Sequence, residues 1–175
     1  MELAAQTTLG FDRELVFRTY RDHLADTVDF LPNVSSIVVE QRVEEGDLVR
    51  LVNLWTAHTD IPSVAKKFLK PEMLQWTDRA EWDGPSWSCR WHIETHAFPG
   101  LVECRGTTTF LESGGGTELR IRGELALNLE KAHVPRLFAG TVRPVIEKVV
   151  IGALTPNLLK TGEGIGRYLQ AQRGR

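Results

Sequence analysis

Between residues 34 and 129 the chain reads as six successive runs in which apolar and polar residues alternate, at 34–44, 47–58, 74–83, 86–96, 101–112 and 116–129. Period-two alternation is the pattern of a strand with one buried face. Four of the five connections are short and rich in turn residues: Glu45-Gly46-Asp47, Asp83-Gly84-Pro85, Phe98-Pro99-Gly100 and Ser113-Gly114-Gly115-Gly116. Short connections leave no room for a crossover, so neighbouring strands should pair antiparallel as a meander. The exception is the insert 59–73, where 62–71 could form a helical turn or two opening at Pro62 and act as a flap over one end of the sheet.

Helical spacing flanks this block. A short opening strand is expected around Thr7–Phe11. From Asp12, a natural N-cap, Leu15, Val16, Tyr20, His23 or Leu24, and Thr27 recur at three- and four-residue intervals. They predict one helix or two short ones, stopped by Pro32-Asn33. Beyond Pro135, Leu137, Phe138, Thr141 or Val142, Val145, Val149 and Ala153 give a long amphipathic helix reaching Leu169. Pro144 should kink it and Pro156 should bend or restart it.

A length of 175 residues suits one domain over 1–175, with a substantial core. With 21 Lys+Arg against 23 Asp+Glu, the chain has no electrostatic footprint for a nucleic-acid backbone. The N-terminal residues lack a basic region followed by an apolar run, and the apolar stretch 149–154 is too short to cross a bilayer. A soluble, cytoplasmic protein with no integral membrane segment is expected. The spacing of Cys89 and Cys104 fits no metal or redox motif. If the hairpin around residues 97–100 sets His96 opposite Leu101, Cys104 faces Ile93 and Cys89 faces Thr108, and a disulfide would need a register shift of four.

A strand, a helical pair, six meandering strands and a closing helix form an α+β order of elements. Three stretches carry a resemblance: the opening helix 13–34, the Gly-rich turn into 119–129, and the closing 140–169. The chain resembles the helix-grip fold of the START/Bet v 1-like (SRPBCC) superfamily, in which a curved antiparallel sheet of about seven strands wraps a long C-terminal helix, with two short helices after the first strand. It is most similar to a bacterial branch of unknown function, whose last strand carries a Gly and whose closing helix reads like Val142 through Ile146-Glu147-Lys148 toward Tyr168-Leu169. The resemblance implies a deep, mostly apolar cavity, used across the superfamily for lipids, sterols, polyketides and plant hormones.

Alternation indicates which face lines such a cavity. On 116–129 the inward set is Thr117, Leu119, Ile121, Gly123, Leu125, Leu127 and Leu129, against outward Glu118, Arg120, Arg122 and Glu124. On 86–96, Trp87, Cys89, Trp91 and Ile93 share the inner face. His92, Glu94 and His96 therefore fall outside beside Arg90, where a His-Glu-His row reads as a solvated stripe and not as metal ligands. Strand 74–83 turns Leu74, Trp76, Asp78, Ala80 and Trp82 inward. Strand 47–58 is ambiguous, with Val49, Leu51, Asn53, Trp55 and Ala57 favoured as the inner set. On 101–112 the even residues, Thr108 among them, face in.

Asp78 is the irregularity. A carboxylate on an apolar face sits at an open rim, or is hydrogen-bonded, or is a functional acid with a raised pKa. The candidate ligand-binding residues are Asn53, Trp55, Trp76, Asp78, Trp91 and Thr108 on the sheet, with Phe138, Val142 and Val145 on the closing helix. Trp82 and Trp87 are further candidates for aromatic lining. His23 and His133, beside helical elements, read as surface residues or caps. No phosphate loop, nucleophile elbow or metal motif is present, and no cofactor is implied. Three readings follow: a binder or carrier of a hydrophobic small molecule or lipid; a cyclase- or aromatase-like enzyme with Asp78 as its acid or base; and an interaction protein, such as a homodimer, with a core filled by its own Trp side chains.

Overall fold

Gly114 and Gly115 adopt φ of 55° and 86°, left-handed values that a two-residue hairpin turn needs and that glycine adopts at little cost. They close β6 (Val102–Ser113) onto β7 (Gly116–Leu127), with Ser113 opposite Gly116. The computed structural model describes residues 2–31, 33–58, 75–96, 100, 102–127 and 160–174. In these, β1 (Glu2–Leu9), β2 (Val34–Glu45), β3 (Leu48–Ala57), β4 (Gln75–Asp83), β5 (Ser88–Thr95), β6 and β7 form an antiparallel sheet in the order β1-β7-β6-β5-β4-β3-β2. The meander runs from β2 to β7, and β1 adds at the far edge beside β7. The opening strand begins earlier than the sequence suggested. Its ladder to β7 runs from Glu2 opposite Glu124 to Leu9 opposite Thr117, so backbone pairing carries a stretch whose side chains alternate weakly.

Between the two edges the chain crosses as α1 (Arg13–Asp22) and a 3-10 segment (Leu24–Phe30). Asp12 caps α1 as expected, its Oδ1 accepting from the Glu14 and Leu15 amides at 2.9 and 3.2 Å. Asp12→Ala should cost about 1 kcal/mol in a denaturant unfolding curve, the usual value of a lost N-cap. The buried stripe of α1 differs from expectation by one face position: Leu15 is 43% exposed, whereas Phe17 is 2% exposed. Phe17 meets Trp82, Trp87 and Phe110 edge-on at 5.2, 5.3 and 5.1 Å between ring centroids, and this aromatic cluster pins α1 to β4, to the turn before β5 and to β6.

Residues 160–173 form the C-terminal helix, α2. Its approach to the sheet depends on glycine: a Cβ at Gly162 would come within 2.9 Å of Thr7 and 3.0 Å of Leu119, and one at Gly166 within 2.9 Å of Leu9. Ile165 and Leu169 are buried there, and Arg167 donates to the Phe30 carbonyl at 2.6 Å. The insert 59–73, the Pro144 and Pro156 bends and His133 lie outside the described residues. No helix among the described residues is long and apolar enough to cross a membrane.

The inner face follows the alternation. Val49, Leu51, Asn53 and Trp55 on β3, Trp76, Ala80 and Trp82 on β4, Cys89, Trp91 and Ile93 on β5, Val102, Cys104, Thr108 and Phe110 on β6, and Thr117, Leu119, Ile121 and Leu125 on β7 are all buried. The outer face carries charge ladders, in which Glu81 on β4 accepts from Arg50 on β3 at 2.9 Å and from Arg90 on β5.

Candidate functional site

Register assembles the site. On β3 and β4, Asn53 lies opposite Asp78 and Trp55 opposite Trp76, so four side chains form a square on the inner face. Trp55 and Trp76 stack at 5.5 Å with 21° between their planes. Across β4 and β5, Asp78 faces Ile93 and Ala80 faces Trp91. Tyr20 of α1, Leu24 of the 3-10 segment and Thr161 of α2 cover this square and complete the described walls. The cavity offers about 50 Å³ to the centre of a water-sized sphere. Such a space suits a small organic group or one end of a longer molecule.

The wall is mostly apolar, with hydroxyls at Tyr20, Thr108 and Thr161 and a carboxylate at Asp78. Its Oδ2 accepts from Asn53 Nδ2 at 3.3 Å, while its Oδ1 is buried and has no hydrogen-bond partner. Burial pushes the Asp78 acid up to about 6, with Asn53 and then Trp55 favouring the charged form. Trp55 Nε1 thus lies beside the carboxylate, yet outside hydrogen-bond geometry, and is itself buried without a partner. The Trp82 indole N–H is in the same condition. By contrast, Trp91 Nε1 donates to Thr108 Oγ1 at 3.2 Å, so this indole and the Thr108 oxygen are engaged by the protein.

Two further ionisable groups line the cavity, and both keep their protons. Burial raises the Tyr20 phenol far above its ordinary range, helped by Cys89 and Asp78 and opposed by a hydrogen bond with Thr161. Burial, then Asp78, raises the Cys89 thiol. Both cysteines are free and buried. The hairpin register expected from the sequence is present, with Cys89 opposite Thr108 and Cys104 opposite Ile93. A thiolate nucleophile is disfavoured at either position.

The structure brings together Asn53, Trp55, Trp76, Asp78, Trp91 and Thr108. Phe138, Val142 and Val145 lie outside the described residues. Trp87 does not line the cavity: it stands at φ 50° in the turn before β5, packs on Phe17, and has the Arg13 guanidinium 4.3 Å above its ring. Trp82 serves both the cavity wall and the Phe17 cluster. On the outer face Glu94 pairs with Arg79 at 3.3 Å and His92 at 3.7 Å, and His96 Nε2 bonds Thr77 Oγ1 at 2.9 Å. His23 pairs with Asp26 at 3.0 Å. Sequence reasoning did not name Tyr20, Leu24 or Thr161 as site residues. Tyr20 had a signal, a hydroxyl-bearing aromatic four residues after buried Val16; Thr161, between Lys160 and Gly162, had none.

A seven-stranded antiparallel sheet with short helices after its first strand, a C-terminal helix and an apolar cavity under them is the helix-grip architecture. No family model and no curated protein matches the chain. Solved structures do. The protein TTHA0849 of Thermus thermophilus is 21% identical with a TM-score of 0.65, over 98% of this chain and 99% of that one. The Zhui aromatase/cyclase of a Streptomyces species is 13% identical with a TM-score of 0.67, over 100% and 96%. Norcoclaurine synthase from Thalictrum flavum is 14% identical with a TM-score of 0.60, over 97% and 86%. The fold is therefore that of the Bet v 1-like (SRPBCC) proteins, a fold that hosts both binders and enzymes.

Proposed function

We propose that the chain binds a small, largely apolar molecule, or the apolar end of a lipid, in the cavity beneath α1 and α2, and does so without chemistry. The observation that carries this reading is Asp78 Oδ1, a buried acceptor with no protein partner inside walls built from Trp55, Trp76 and Trp91. Apolar walls with a few placed polar groups are the usual composition of a small-molecule site. An unsatisfied buried acceptor costs roughly 1–3 kcal/mol, and a ligand group that reached it would recover that cost.

An acid raised to about 6 could also serve as a general base near neutral pH, which is what favours the cyclase-like reading. Among the described residues that reading lacks a second base: Tyr20 and Cys89, the other ionisable residues on the described walls, are both held protonated by burial, which leaves Asp78 as the one group there that could accept a proton.

Native mass spectrometry of the chain purified from its own source, followed by organic extraction, tests the binding reading. One stoichiometric apolar compound is expected. An empty protein that also fails to take up an environment-sensitive apolar dye would contradict it.

A further inference from the structure

We infer that the ligand presents a hydroxyl group to Asp78 and Trp55, its O–H donating to Asp78 Oδ1 and its oxygen accepting from Trp55 Nε1. This rests on the binding reading and specifies the chemistry of what is bound. Two buried polar atoms of opposite kind, an acceptor on Asp78 and a donor on Trp55, line the same cavity without a hydrogen bond of ordinary geometry, and the diagonal place of Trp55 to Asp78 across the β3–β4 ladder sets them close. A hydrocarbon leaves both unpaired. A ketone or ether satisfies the indole and presents a lone pair to the carboxylate. An ammonium satisfies the carboxylate and leaves the indole N–H unpaired. A hydroxyl both donates and accepts, so it completes the pair.

The rest of the wall agrees. Asn53, opposite Asp78 in the ladder, occupies the other carboxylate oxygen and fixes the orientation of the free one. Among the described lining residues there is no Lys, Arg or His, so the carboxylate has no cationic partner, and the facing ionisable groups are Tyr20 and Cys89. The stacked Trp55–Trp76 pair and Trp91 then hold the ligand's apolar body.

The test uses the full chain at pH 8 and three single-ring probes, titrated by calorimetry or by NMR shifts: phenol, toluene as its apolar isostere, and benzylamine as a cation. Phenol should bind about tenfold or more tightly than toluene, the size expected for one hydrogen bond to a charged group. In Asp78→Leu the preference should disappear while toluene still binds, which shows an intact cavity. Should that variant fail to fold, Trp55→Phe removes the donor together with part of the indole, and should weaken phenol more than toluene, lowering the phenol preference about threefold or more. Equal binding of phenol and toluene to the unsubstituted chain would overturn the hydroxyl inference and leave the binding reading standing. Tighter binding of benzylamine than phenol would overturn it in favour of a cationic ligand. No binding of any probe would overturn both.

Discussion

Asp78→Asn should make the chain more stable at pH 8, by about 3 kcal/mol, and leave it nearly unchanged at pH 4. The amide keeps the shape of the side chain and removes the charge. The acid lies at about 6 in the folded chain against 3.8 for an ordinary aspartate, and raising a pKa by roughly two corresponds to about 3 kcal/mol. Above pH 6 both folded and unfolded chains carry the carboxylate, and the folded one bears the full cost of burying it. As pH falls from 6 toward 3.8 the folded chain takes up a proton before the unfolded one, so that cost is progressively relieved, and below 3.8 it is gone. The gain from the substitution should therefore be greatest above pH 6 and fade through the same window. Urea unfolding of both chains at pH 8, 6 and 4 reads this directly. If the Asp78→Asn variant is no more stable at pH 8, Asp78 has compensation that the cavity does not show. The stabilised variant should also lose affinity for a hydroxyl-bearing ligand, the trade expected where a binding site retains an unfavourable group for its function.

Gly106→Ala should act in the opposite direction and destabilise the chain. Gly106 and Gly123 face each other across β6 and β7, and Trp91 on β5 lies opposite Gly106. A Cβ at Gly106 would overlap the Trp91 ring and the Arg122 carbonyl, and one at Gly123 would come within 2.8 Å of Trp91 Cη2. The two glycines form a slot that seats the indole flat on the sheet. The Arg122 carbonyl belongs to the ladder and cannot withdraw, so Trp91 must leave its place, break its bond to Thr108 and enter the cavity. Overpacking of this kind costs about 1–3 kcal/mol, and the lost hydrogen bond adds about 1 kcal/mol. Gly10→Ala is the matching control, since nothing lies within 4 Å of a Cβ there. Equal unfolding midpoints for the two variants would show that the slot is not occupied as described.

The inner face was legible on β5 and β7 because the sequence alternates there without slips. Leu119, Ile121 and Leu125 against Arg120, Arg122 and Glu124 leave one choice of face, and the same alternation on β5 places His92 and Glu94 on the outer side. The β5–β6 register was legible as well, because a short turn fixes which residues face each other. The Asn53–Asp78 pair was not, because the 59–73 insert separates β3 from β4 and no turn sets their register. The slot for Trp91 depends on three strands aligned together, and neither Gly106 nor Gly123 reveals its partner locally. Leu15 and Phe17 illustrate a different limit. Both are apolar and sit two positions apart on a helix, and the aromatic cluster with Trp82 and Phe110 decides which turns inward, a tertiary effect that periodicity cannot register.

Whether an apolar molecule enters between β3, β4 and β5 can be read from the indole N–H resonances of the five Trp residues, assigned by single Trp→Phe substitutions, as toluene or phenol is titrated into the labelled chain. A molecule seated there should move the Trp55, Trp76 and Trp91 signals and leave Trp87 still, since that ring packs on Phe17 and beneath Arg13. Signals that all stay in place, or a shift confined to Trp87, would contradict a binding cavity at this position and place any binding elsewhere on the molecule.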